Sequence, residues 1–143
     1  MRIMAIDFGD SRTGIAVSDE SAVLAGEAWV ILEKSQTALA QKIAAEAAAR
    51  GVGAIVVGYP KNMNGTIGPR AEKSEQLAEL LRAHCSIEVV LWDERLTTIS
   101  ADRILTDSGK HGKKRKKIID AVAASMILES YLRSLIVIDP LQR

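Results

Sequence analysis

The chain has 143 residues, 48% of them hydrophobic and 26% charged, with 19 Lys and Arg against 18 Asp and Glu and a formal charge of +1. A chain of this length buries roughly 68–70% of its unfolded surface as one domain, so a single domain over residues 1–143 is expected and no staple is needed. The lone cysteine, Cys85, excludes an internal disulfide and a zinc site built on paired cysteines, and 3% aromatic content argues against recognition of stacked single-stranded bases.

Ile3–Phe8 and Thr13–Ser18 are short apolar runs separated by Gly9-Asp10-Ser11-Arg12, which predicts a β-hairpin. Leu24–Leu32, with Trp29, Val30 and Ile31, reads as a third strand. Gln36–Arg50 is alanine-rich, carries Leu39, Ile43 and Ala47 at helical spacing, and stops before Gly51. Ala54–Gly58 is a continuous apolar strand of the kind buried on both faces. A polar loop over Asn62–Gly68 leads to Pro69, which opens a helix running to about Cys85. Ile87–Trp92 is the fifth strand, Thr98–Ser108 a helix, and Lys116–Arg133 the last helix; Leu135–Ile138 reads equally as a short strand or a tail. Strands alternating with helices imply parallel pairing, and the hairpin adds an antiparallel flank. The expected class is α/β, a mixed five-stranded sheet with helices on both faces.

Acids occupy informative positions at three places in the chain. Asp7 shares a strand face with Ile3 and Ala5, on a strand expected at the centre of the sheet, where a charge is costly unless paired or bound to a cation; the alternative is a cap on the Gly9 turn. Asp93 and Glu94 end the fifth strand, and ligand crevices form at the carboxyl ends of strands. Asp93 could equally be a turn residue and Glu94 a surface partner of Arg95, and which of the two acids does the chemistry stays open. Asp120 lies one turn into the expected last helix, with Ala123, Ala124, Ile127 and Tyr131 spaced to share its face; the alternative is an acid favoured near a helix N-terminus. Together Asp7, Glu94 and Asp120 suggest one cluster. Carboxylates without thiolate or imidazole partners select hard Mg²⁺ or Mn²⁺, and carboxylate-held metal pairs cleave phosphodiesters in line. His84 and His111 lack ligand spacing and are expected in solvent.

Lys110–Lys117 holds six basic residues and no acid, while the other 135 residues carry 13 basic against 18 acidic side chains. Lys113, Lys114, Arg115, Lys116 and Lys117 directly precede Asp120, so they are candidates to hold a phosphate backbone beside the acids; the plainer reading is a solvated segment. No apolar run approaches the ~18 residues of a spanning helix, and Asp7 interrupts the start where a signal peptide would be apolar. A soluble, cytoplasmic protein with no membrane partner is expected.

Ala5-Ile6-Asp7-Phe8-Gly9 followed by Arg12-Thr13-Gly14-Ile15-Ala16-Val17-Ser18-Asp19 resembles the opening of the YqgF/RuvX family. The likeness continues in Gly58-Tyr59-Pro60-Lys61-Asn62-Met63-Asn64-Gly65-Thr66, in Asp93-Glu94-Arg95-Leu96-Thr97-Thr98, and from Lys113 through Asp120 to Ala124. Four ordered motifs over essentially the whole chain are far more specific than any one. The resemblance implies an RNase H-like fold related to Holliday-junction resolvases. It also implies a cytoplasmic nuclease that trims the 5′ end of pre-16S rRNA. Asp7, Glu94 and Asp120 match the family's catalytic acids; Ser11 and Asn64 depart from its commonest residues without touching them. Arg12, Asn62, Arg95 and Lys113–Lys117 are the expected nucleic-acid contacts, with structured RNA, branched DNA or a ribosomal precursor particle as partner and a monomer or homodimer as the working state.

Other functions fit parts of the pattern. A Holliday-junction resolvase acting on DNA would use the same acids. A non-catalytic nucleic-acid-binding assembly factor would keep the fold alone. Asp7-Phe8-Gly9 with Ser11 and Gly14 is also similar to the phosphate loop of actin-like ATPases and sugar kinases, but those pair two such domains in a longer chain.

Overall fold

The computed structural model describes residues 1–93 and 112–137, without the side chains of 112–117, 136 and 137. Its elements are β1 (Arg2–Asp7), β2 (Arg12–Ser18), β3 (Ala25–Leu32), α1 (Gln36–Ala49), β4 (Val52–Tyr59), α2 (Pro69–His84), β5 (Glu88–Asp93) and α3 (Gly112–Val137). The five strands form one sheet in the order β3-β2-β1-β4-β5. β1 and β2 pair antiparallel through the tight turn, as do β2 and β3, whereas β1–β4 and β4–β5 are parallel and joined by helical crossovers. The expected mixed sheet is therefore present, with β1 at its centre.

Local chemistry sets the boundaries. Ser35 caps α1 by accepting from the Ala38 N–H at 3.2 Å, and Gly51 leaves the helix at φ +68°, a left-handed conformation that favours glycine. Pro69 starts α2, where its missing N–H costs nothing. Strand alternation then splits the core into two layers. Met4 and Ile6 of β1 and Phe8 just after it, with Ile55 and Val57 of β4, pack with Leu39 and Ile43 of α1 and Leu77 and Leu81 of α2. Ile3 and Ala5, with Ala54 and Val56, pack on the opposite face against Ala124, Ile127, Leu128 and Leu132 of α3. Both faces of β1 and β4 are buried, which is why their sequences are nearly continuous apolar runs.

Three boundaries differ from expectation by more than one residue. The last helix begins at Gly112 instead of Lys116, because Lys and Arg are good helix formers and extend the apolar helix backwards. It also runs on through Leu135–Val137, since nothing after Arg133 breaks it. β4 begins at Val52, which pairs with Arg2 ahead of a register shift in β1. The expected helix over Thr98–Ser108 lies outside the described residues. Among the described residues, no helix is long and apolar enough to cross a membrane.

Candidate active site

Asp7 is the last residue of the central strand and sits directly across the β1–β2 ladder from Gly14. Its face is that of Ile3 and Ala5, the face covered by α3. Gly14 explains how the helix reaches that point. A Cβ there would lie 2.0 Å from the carbonyl oxygen of Asp120 and 2.6 Å from its carbonyl carbon, so only glycine lets the α3 backbone rest on β2. Asp7 and Asp120 thus become neighbours across one glycine, brought from opposite ends of the chain.

Asp120 is the ninth residue of α3, beyond the first turn in which a helix dipole acts appreciably, so the dipole does not account for it. Its Oδ2 accepts from Nε of Arg12, the first residue of β2, at 3.1 Å, and its side chain retains 21% exposure. Burial pushes the carboxyl above its ordinary value. The hydrogen bond and charge of Arg12, helped by the charge of Arg70, act in the opposite sense without cancelling it.

The turn that presents these groups is equally constrained. A Cβ on Gly9 would meet the Arg12 carbonyl oxygen at 2.1 Å, and the buried Thr13 hydroxyl lies 3.4 Å from both the N–H and the carbonyl of Gly9. Asp-Phe-Gly followed by Arg-Thr-Gly is therefore a steric prescription: one glycine for the turn and one for the helix above it. Arg70, in the first turn of α2, donates to the Phe8 carbonyl at 3.2 Å, and Lys73 pairs with Asp10 at 2.8 Å. These residues line a cleft of ≈ 270 Å³ with Phe8 and Gly9, and the Lys73 bond holds the Asp10 carboxyl below its ordinary value. Sequence reasoning missed Arg70. The signal was present: a cation in a first helical turn opposes the dipole and calls for another reason to be there.

The other expected site residues divide. Asp93 is a strand residue, not a turn, paired in register with Tyr59. By alternation it shares the face of Val89 and Leu91, which pack toward α1 and α2, while Trp92 faces α3 and donates to the Ser130 hydroxyl at 3.2 Å. Glu94 and Arg95 lie outside the described residues, as does His111. Lys113–Lys117 form the start of α3, their side chains not among those described. Exposed Asn62 organises its own loop, donating from Nδ2 to the Thr66 hydroxyl at 2.9 Å while its carbonyl accepts from Gly65. His84 is exposed, with Nδ1 2.8 Å from the Leu80 carbonyl. Among the described residues, no three of His, Cys, Asp and Glu gather as a metal-binding group.

A family model described as RuvX, Holliday junction resolvase, matches residues 1–134. The chain belongs to the RuvX family. Similar RuvX relatives include a protein of Geobacillus kaustophilus, 47% identical over 137 residues, covering 94% of this chain and 99% of the relative. Another, from Clostridium botulinum, is 44% identical over 135 residues, covering 94% and 98%. Both carry the name "Putative pre-16S rRNA nuclease". Among solved structures, Thermus thermophilus RuvC in complex with Holliday junction substrate aligns at TM-score 0.56 and 14% identity, over 94% of this chain and 96% of that one. Fowlpox virus resolvase with substrate Holliday junction DNA aligns at TM-score 0.56 and 14% identity, over 94% and 99%. Identity that low speaks to fold alone, and the fold is the RNase H-like one. A RuvX-family chain is a nuclease by class, a hydrolase of phosphodiester bonds.

Proposed function

We propose that this chain is a divalent-metal-dependent nuclease that processes the 5′ end of pre-16S rRNA in the cytoplasm, one domain over residues 1–143 carrying the whole site. The observation that carries the reading is the meeting of Asp7 and Asp120 across Gly14 on the α3 face of the sheet. The names of the curated relatives supply the substrate. Asp7, Glu94 and Asp120 are the catalytic acids and the metal ligands of this proposal; Glu94 is next in sequence to Asp93, the last residue of β5.

The residues present suit a hard cation. Asp7 and Asp120 offer only oxygen, and Asp120 is a half-buried carboxylate held by a single arginine hydrogen bond among the described residues. Bound Mg²⁺ or Mn²⁺ would supply an activated water and stabilise the leaving 3′ oxygen. The chain's own work is positional. β1 and α3 hold two acids at fixed backbone positions, and Arg12 and Arg70 stand beside them as cations able to bind phosphate oxygens. Asn62, Arg95 and Lys113–Lys117 complete the proposed nucleic-acid contacts, the last five directly before the catalytic helix turn.

The test incubates pre-16S rRNA ends and a four-way DNA junction in parallel, with Mn²⁺ and with chelator. Metal-dependent trimming of the RNA by the native chain, abolished in Asp7→Asn with folding and RNA binding retained, is the expected result. Turnover by a clean Asp7→Asn preparation removes the site assignment. Cleavage of the junction alone makes the chain a DNA resolvase, and binding without cleavage of either makes it an assembly factor.

A further inference from the structure

Arg12 and Asp120 form a partly buried ion pair between segments whose backbones are held in place. Each backbone is fixed by a glycine: the Arg12 carbonyl fills the space beside Gly9, and the Asp120 carbonyl fills the space beside Gly14. Only the side chains can move. Arg12 keeps 35% of its side-chain surface in water against 21% for Asp120, and its stem is the longer of the two, so it is the partner with more room to move. A carboxylate partly taken out of water is stabilised by a nearby cation. When no metal is bound, among the described residues the guanidinium is that cation.

We propose that Arg12 is a positioning residue that holds the metal's place at Asp120, keeping the carboxylate aimed into the site until a divalent cation displaces it. This rests on the reading of Asp120 as a metal ligand. Arg suits the task because one directed N–H fixes the carboxylate, while the long stem lets the charge swing into solvent without moving β2. The consequence is a competition: a metal ion that takes Oδ2 of Asp120 must first break the 3.1 Å pair. The native chain therefore binds metal more weakly than one lacking the guanidinium.

Calorimetric titration of MnCl₂ into the nucleic-acid-free chain tests this. Arg12→Gln should bind Mn²⁺ more tightly by about fivefold, which is what release of one half-exposed ion pair allows. Arg12→Lys keeps the charge and loses the directed N–H; it should gain about twofold, and it carries the test if the glutamine variant does not fold. Arg70→Gln removes a cation that Asp120 feels only through space, so its gain should fall short of that of Arg12→Gln. Affinities for both Arg12 variants at or below the native value, or equal gains from Arg12→Gln and Arg70→Gln, overturn the place-holder. Asp120→Asn separates the two claims. Unchanged Mn²⁺ binding there removes Asp120 as a ligand, whereas lost binding together with native-like Arg12 variants leaves the ligand standing and removes only the place-holder.

Discussion

A buried ionisable group records its surroundings in its proton affinity, and two residues at the carboxyl end of the sheet do so for different reasons. Asp120 sits above its ordinary value because burial outweighs its arginine. Tyr59, the last residue of β4, is pushed up to about 12 chiefly because its hydroxyl donates to Glu75, with burial and the charges of Glu75 and Glu72 adding to the effect. Raised above the unfolded value near 10, the tyrosine contributes stability that is whole below that pH and is lost as pH rises through about 12. Glu75→Gln should return the phenol toward 10 in a spectrophotometric titration; an unmoved titration would show that Glu75 is not the cause. Neither pairing was legible in the sequence, since Arg12 and Asp120 lie 108 positions apart and Tyr59 and Glu75 belong to different elements. The acids themselves were legible, because a carboxylate on an apolar strand face or helix stripe breaks the pattern around it.

At the scale of elements, α3 is what converts a strand-end acid into a site. Its apolar stripe of Ala124, Ile127, Leu128 and Leu132 seats it on the sheet, and Gly14 sets how closely it approaches. Gly14→Ala puts a methyl group against backbone that cannot rotate away, so the helix must retreat from β2. The expected loss is about 1–3 kcal/mol in denaturant unfolding, together with loss of cleavage even though every acid remains. Full activity in that variant would mean the close approach is unnecessary. The helix's existence and inward face followed from its 3.6-residue period, but its first four residues did not. A run of lysines and arginine carries no periodic apolar signal, and its helical propensity shows only when a packed helix stands ready to be extended.

Over the whole molecule, charge is separated: a body with more acids than bases carries one basic segment at the head of α3. Non-specific affinity for nucleic acid should then reside largely in Lys113–Lys117. Replacing these five by Gln should weaken binding uniformly across sequences and flatten the dependence of log K on log salt by about 0.7–0.9 for each phosphate no longer neutralised. An unchanged slope would return the segment to solvent.

Composition, strand–helix alternation and four ordered motifs were enough to determine the α/β class, the central place of β1, the family and the identity of the candidate acids, because periodicity and residue chemistry are local properties that a linear reading samples directly. The tertiary structure alone decided that Asp7 and Asp120 meet across Gly14, that Arg12 is the cation on Asp120, that Arg70 stands beside them and that Asp93 shares the face of Val89 and Leu91. Each of these is a distance between segments far apart in the chain, set by sheet register and helix seating, and no single segment encodes it.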